Sequence, residues 1–180
     1  AVSDAIDWFF EQEPEGIILE DDCLPDQSFF FFCQEVLEHF RDDRRIMHVG
    51  GTNFQFGNNQ TKYSYYFSRY AHVWGWASWR RAWTFYDVKM RKWPVENYSD
   101  ILLNWADDQS FIRYWYNVFQ QTTNGEVDTW DYQWTFACWN NKGLSVVPSK
   151  NLVSNLGFSM ESTHTQKHSP LANMSTETIK

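Results

Sequence analysis

The segment GIILEDDCLP, residues 16–25, joins a short apolar run to three consecutive carboxylates. Such a run behind a glycine is typical of a strand that is covered on both faces of a sheet. Residues 25–43 then place apolar side chains at helical spacing, and either Asp26 or Ser28 is available as the N-cap. A second apolar run, RRIMHVGG, follows at residues 44–51. This order predicts a β-α-β unit with parallel strand pairing, and therefore an α/β fold.

Further elements flank this unit. Residues 2–13 carry an apolar helical face, and Ser3 is a candidate N-cap for that helix. The segment KYSYYFSRY, residues 62–70, alternates in character and predicts an edge strand. In the segment HVWGWASWRRAW that follows, Ser78 is a candidate cap for a helix starting at Trp79.

The C-terminal half adds helical patterns and one more strand. Helices are predicted within residues 100–125 and in residues 126–143, where Gly143 is expected to be the left-handed residue that closes the helix. LSVVP, residues 144–148, predicts a short strand. Residues 166–180 are polar and lack aromatic side chains, which predicts a frayed tail. Without a repeat or a long linker, the rest of the 180 residues forms one domain.

Charge and composition exclude several classes of partner. The formal net charge is −8, whereas nucleic acids and anionic membranes are bound by an excess of Lys and Arg. No segment has the roughly 20 apolar residues that a transmembrane helix needs. The three cysteines are too few and too irregularly spaced for a disulfide framework or a zinc site. We therefore expect a cytoplasmic protein that has no transmembrane segment and does not bind nucleic acid.

The acidic triplet Glu20, Asp21 and Asp22 is the first candidate site. It follows a predicted strand, and ligands of open α/β sheets bind beyond the carboxyl ends of the strands. Adjacent carboxylates repel one another unless a cation offsets the repulsion, and Mg²⁺ and Mn²⁺ prefer such oxygen ligands. The alternative is a solvated loop whose acids face the N-terminus of the following helix, where negative charge is favourable. Spacing alone leaves both interpretations open.

Three motifs carry a resemblance to a known family. IILEDDCLPDQSFFFFC resembles the segment of GT-A fold glycosyltransferases that contains the metal-binding DXD-type motif, here as Glu-Asp-Asp. It is especially similar to N-acetylglucosaminyltransferase I-like and family 2-like nucleotide-diphospho-sugar transferases. HVWGWASW resembles the Gly-Trp segment before the acceptor side of the cleft, and DTWDYQW resembles the helix start that supplies the catalytic base. The resemblance spans roughly residues 15–165.

The resemblance implies a fold and a reaction. The fold is a Rossmann-like, mixed but mainly parallel sheet flanked by helices. Residues 1–165 are a partial catalytic domain that lacks the first nucleotide-binding strands, so this chain alone is not expected to turn over efficiently. The reaction is metal-dependent, inverting transfer of a sugar from a nucleotide-sugar donor to the hydroxyl of a carbohydrate or other acceptor. The implied cofactor is Mn²⁺ or Mg²⁺, which stabilises the diphosphate leaving group.

The resemblance also implies roles for individual residues. Asp22 is the direct metal ligand, His164 is a candidate late ligand, and Glu20 and Asp21 contact the sugar or ribose of the donor. Asp131 is the general base that takes the proton of the acceptor hydroxyl.

Three further sets of residues each have two alternative roles. Relatives show a second acid after the base, whereas this chain has Tyr132, so Asp128 is a second candidate base; alternatively it is a helix N-cap.

Gly75 and Trp76, with Trp74, are expected to form an aromatic floor for a bound sugar, or else to pack in the core. The arginines Arg80 and Arg81 are expected either to reach the diphosphate or to lie on a solvated helix face.

Two other function classes remain compatible with the sequence. A non-catalytic carbohydrate-binding domain accounts for the eleven tryptophans, because aromatic rings stack on sugars. A glycoside hydrolase uses two carboxylates, one of them with a raised pKa, and needs neither metal nor nucleotide.

Overall fold

The computed structural model describes residues 2–58, 61–93, 98–103, 108–157 and 170–179, and it has a mixed α/β architecture. A five-stranded sheet is flanked by helices, and a separate pair of short strands lies beside it. The elements in chain order are α1 Val2–Gln12, β1 Glu15–Ile18, β2 Cys23–Pro25, α2 Gln27–His39, β3 Ile46–Gly50, β4 Tyr65–Ser68, β5 Trp76–Trp79, α3 Arg80–Trp83, α4 Tyr98–Leu103, α5 Gln109–Thr123, α6 Asp131–Asn140, β6 Leu144–Pro148 and β7 Val153–Asn155.

The strand order of the main sheet is β1-β5-β3-β6-β4. Among these described strands only β3 and β6 pair in parallel, whereas the β1–β5, β3–β5 and β4–β6 pairs are antiparallel. The prediction of a mainly parallel sheet is therefore wrong. Because β5 lies between β1 and β3 and is antiparallel to both, those two strands point the same way without pairing.

Strand β5 was not predicted from the sequence, and it forms two of the three antiparallel pairs of the main sheet. Ser78 does not cap a helix: it lies inside the buried strand, and its hydroxyl donates to the main-chain oxygen of Met47 at 2.7 Å. The helix begins only at Arg80. A short central strand is covered on both faces, so it lacks the alternation that marks an exposed strand.

Several predicted elements are confirmed. Helix α2 starts after Asp26, whose carboxylate accepts a hydrogen bond from the main-chain N–H of Ser28 at 2.8 Å. The edge strand appears as β4. Ser3, however, lies within α1 and is buried, so it is not the cap of that helix.

The C-terminal end of α6 differs from the prediction. The left-handed residue is Lys142, with φ 55°, and the N–H of Gly143 bonds to the Cys138 carbonyl at 2.8 Å. This six-to-one bond is typical of a Schellman ending. A Cβ on Gly143 would collide with the Met47 side chain, so glycine is needed here for close packing rather than for its dihedral freedom.

Two hydrophobic clusters cover the two faces of the sheet. Adjacent residues of β5 point to opposite sides, with Trp76 in one cluster and Ala77 in the other. The Trp76 cluster takes in α1, α3, α5 and α6, and the Ala77 cluster takes in α2. This layering places α1 and α6 on the same side of the sheet.

The C-terminal residues are held against the domain. The main-chain N–H of Glu177 donates to the Asn151 carbonyl at 2.8 Å, and Lys150 pairs with the Glu177 carboxylate at 2.7 Å. Ile179 packs against the Ala77 cluster. The described part of the tail, residues 170–179, is therefore not frayed as predicted. Within the described residues no helix has the length and apolar character needed to cross a membrane.

Candidate functional site

A cavity of about 1580 Å³ lies between the end of β1, the start of α6 and one side of α1. Five carboxylate residues line it, namely Glu20, Asp21, Asp22, Asp128 and Asp131. The two acidic groups that the sequence analysis selected, more than 100 residues apart in the chain, therefore face one space. The described lining contains no Lys, Arg or His.

The triplet forms a turn between β1 and β2. The N–H of Cys23 donates to the Glu20 carbonyl at 3.1 Å, which closes the turn. Asp22 is held from the other side, because the N–H of Leu156 donates to its carbonyl at 2.8 Å. A Cβ on Gly157 would collide with the Asp22 carboxylate, so the chain just after β7 packs closely against this side chain.

Glu20, like Asp22, is half-buried, whereas Asp21 is exposed. The pKa of Glu20 is shifted upward. Loss of solvation raises its pKa, and the negative charges of Asp22, Asp131 and Asp21 raise it further. The indole N–H of Trp130 donates to its Oε1 at 3.0 Å and opposes this rise in pKa. The cavity thus concentrates negative charge that a bound cation would neutralise.

Neutralising Glu20 alone should stabilise the protein when no metal is present. Glu20→Gln keeps the oxygen that accepts from Trp130 and removes one of the repelling charges, so we expect the free energy of unfolding at pH 7 in EDTA to rise by roughly 0.5–1 kcal/mol. Glu35→Gln, at an exposed position of α2, removes the same charge away from the cavity and is the control. Denaturant titration of both variants measures the difference, and equal stabilities would contradict the repulsion.

Asp131 is the first residue of α6, where the helix dipole favours a negative charge. The hydroxyl of Thr129 donates to its Oδ1 and restrains the side chain. Asp128 lines the same cavity and is exposed. It is not the helix cap, because the N-cap position is Trp130 and no side chain caps this helix.

Two predicted ligand contacts are wrong. Trp76 is fully buried, with its ring stacked on His48 at 5.2 Å and on Trp130 at 5.8 Å between ring centroids, so it has no face for a sugar. Gly75 is also buried and outside the cavity lining; its φ is 63°, and a Cβ there would lie 2.8 Å from Val153 Cγ2. Packing therefore accounts for both residues. Trp74 does line the cavity.

Arg80 and Arg81 both donate hydrogen bonds to main-chain oxygens of neighbouring elements. Arg81 donates to the main-chain oxygens of Phe40, Arg41 and Ile46, and its guanidinium lies 4.3 Å from the ring centroid of Trp79. Arg80 donates to the Phe10 carbonyl. Neither residue lines the cavity, so the alternative in which they reach a diphosphate is wrong. The other alternative, a solvated helix face, holds for Arg80, which is exposed on α3, whereas Arg81 is half-buried.

The chemistry of the lining bears on the predicted metal. His164 lies outside the described residues, and among those described no group of three or more His, Cys, Asp and Glu side chains is arranged to hold a metal ion. Mg²⁺ and Mn²⁺, however, commonly use one or two carboxylates together with substrate phosphates and water. Asp22 with a neighbouring carboxylate fits that oxygen-rich pattern.

The residues that join the two acidic groups were not predicted from the sequence. Trp130 connects Glu20 to the start of α6, and Asn155 and Gly157 complete the wall beside Asp22. The only sequence signal for Trp130 was its position immediately before Asp131.

No protein-family model matches the chain, and a comparison with curated proteins finds no match either.

Proposed function

We propose that the chain is a metal-dependent glycosyltransferase domain that moves a sugar, with inversion, from a nucleotide-sugar donor to an acceptor hydroxyl. One observation carries the proposal: a single cavity contains both the acidic triplet and Asp131. Transfer needs both, because the leaving diphosphate must be neutralised at one place while the acceptor loses a proton at another.

The lining residues divide between these tasks. Asp22 would hold Mn²⁺ or Mg²⁺, and the bound cation would supply positive charge for the leaving diphosphate. Glu20 and Asp21 would accept hydrogen bonds from donor hydroxyls. Asp131, restrained by Thr129, would take the proton from the acceptor as its oxygen attacks the anomeric carbon. A described lining without basic residues supports the cation, since nothing else there can offset a diphosphate.

Calorimetric titration of UDP and of GDP tests the donor half of this proposal. We expect one nucleotide to bind with Mn²⁺ present and binding to disappear in EDTA. Asp22→Asn should weaken metal-dependent binding by at least roughly tenfold, since a charged ligand to the cation is lost. Asp42→Asn, at an exposed site outside the cavity, has the same charge change and should bind like the wild type. Binding that is equally strong in EDTA would indicate a simple binding module instead.

A glycoside hydrolase is the second candidate. The raised pKa of Glu20, close to the further acid Asp131, supports it, because hydrolases pair a protonated acid with an ionised carboxylate. Release of reducing sugar from glycans without nucleotide or metal would favour this function over transfer.

A further inference from the structure

Trp130 lies between the two acidic groups of the cavity. Its indole N–H donates to Glu20 Oε1 at 3.0 Å, and its backbone directly precedes Asp131 at the start of α6. Trp130 therefore contacts the triplet through its side chain and is bonded directly to Asp131, the proposed base, through the main chain.

The core fixes the position of Trp130. Its ring stacks on Trp76, with ring centroids 5.8 Å apart and planes 23° apart, and Trp76 is fully buried. Its carbonyl accepts a hydrogen bond from the Tyr86 hydroxyl at 3.2 Å. Tyr86 in turn stacks on the buried Trp83 at 4.2 Å. Because its ring packs on Trp76 and its carbonyl is hydrogen-bonded to Tyr86, the indole of Trp130 has little freedom to move.

We propose that Trp130 is a positioning residue, whose indole N–H holds the Glu20 carboxylate in a fixed relation to Asp131. This inference rests on the proposed transferase function. Glu20 would then present one fixed oxygen to the donor sugar, so that the anomeric carbon faces the acceptor beside Asp131. Small errors in such a geometry cost rate more than affinity.

Trp130→Phe tests the contribution of the indole N–H separately from that of the aromatic ring. Phenylalanine keeps an aromatic face on Trp76 and leaves the main chain of α6 unchanged, but it has no donor for Glu20. We expect kcat for nucleotide release from the accepted UDP- or GDP-sugar to fall roughly tenfold to hundredfold, the loss typical of a hydrogen bond to a charged group. The KM for the donor and the Mn²⁺-dependent affinity for the nucleotide should change less than threefold, because Asp22 is untouched.

Two comparisons distinguish positioning from a general structural role. Trp115→Phe, at an equally half-buried position on α5 outside the cavity, should keep the wild-type kcat. In a double-mutant cycle, Trp130→Phe should cost little once Glu20→Ala has removed its partner. Additive losses in that cycle, or a loss confined to KM, would overturn the proposal.

The hydrogen bond has its own test that needs no activity. In a ¹⁵N-labelled protein, the indole signal that disappears in Trp130→Phe identifies Trp130. In Glu20→Ala this signal should shift and its N–H should exchange with solvent faster, whereas Glu35→Ala should leave it unchanged. An unaffected signal would overturn the inference while leaving the transferase proposal intact. Failure of the wild type both to bind UDP or GDP with Mn²⁺ and to release nucleotide from any sugar donor would overturn the transferase proposal, and the positioning role with it.

Discussion

Asp131→Asn is expected to lower the rate of sugar transfer by about 10²–10⁴-fold, the usual contribution of a general base. Asparagine has nearly the same shape and can still accept the hydrogen bond from Thr129, but it cannot take a proton. Metal-dependent nucleotide binding should be unchanged, because Asp22 and the rest of the triplet are untouched. Single-turnover assays of nucleotide release, combined with calorimetry, separate the two steps.

Asp128→Asn is the matched variant, because it makes the same charge change in the same cavity. Asp131 is held by Thr129 at a helix start, whereas Asp128 is exposed, so we expect the larger loss at Asp131. The reverse order of losses would make Asp128 the base. Wild-type transfer rates in Asp131→Asn would remove this residue from the mechanism.

Sequence patterns predicted correctly those elements whose formation depends mainly on residues within the same segment. Helix α2 has its cap at Asp26 and its apolar spacing within one segment, so sequence alone was sufficient to identify it. The acidic triplet was placed at a strand end for the same reason, and it lies after β1. Edge strand β4 also followed from its alternation.

Strand direction was wrong because it depends on contacts between distant segments. Residues 76–79 form a buried strand between β1 and β3, and this strand converts a predicted parallel pair into two antiparallel pairs. Nothing in WASW distinguishes a central strand from the start of a helix, since its burial arises from helices that pack on both faces of the sheet.

The arrangement of the candidate site also depends on contacts between distant segments of the chain. Both groups of acids were identified, but the hydrogen bond that joins them, between Trp130 and Glu20, spans 110 positions, so local patterns could not predict that they meet in one cavity. The tryptophans on either side of Gly75 look equivalent in sequence, yet Trp76 enters the core with β5 while Trp74 reaches the cavity. Position in the sheet, rather than residue type, decides which aromatic ring is available to a ligand.

A second large effect is expected from truncating Trp134, a buried residue of α6. Trp134 of α6 is fully buried, and its indole N–H donates to Nδ1 of His48 at 3.2 Å. Trp134→Ala should lower the free energy of unfolding by about 3–5 kcal/mol, because it leaves a large cavity and removes the partner of a buried nitrogen. For a chain of this length the melting temperature should fall by roughly 10 °C. Calorimetric melting measures both effects.

Trp8→Ala is the control for that variant, because the Trp8 side chain is 66% exposed and the same truncation there should cost less than about 0.5 kcal/mol. Trp134→Phe should fall between the two, since it fills most of the space but donates no hydrogen bond to His48. Burial lowers the pKa of His48 to about 3, so the ring is neutral at pH 7 and its Nδ1 accepts from the indole. A loss in Trp134→Ala no larger than in Trp8→Ala would mean that neither the packing of the Trp134 ring nor its bond to His48 contributes measurably to the stability of the fold.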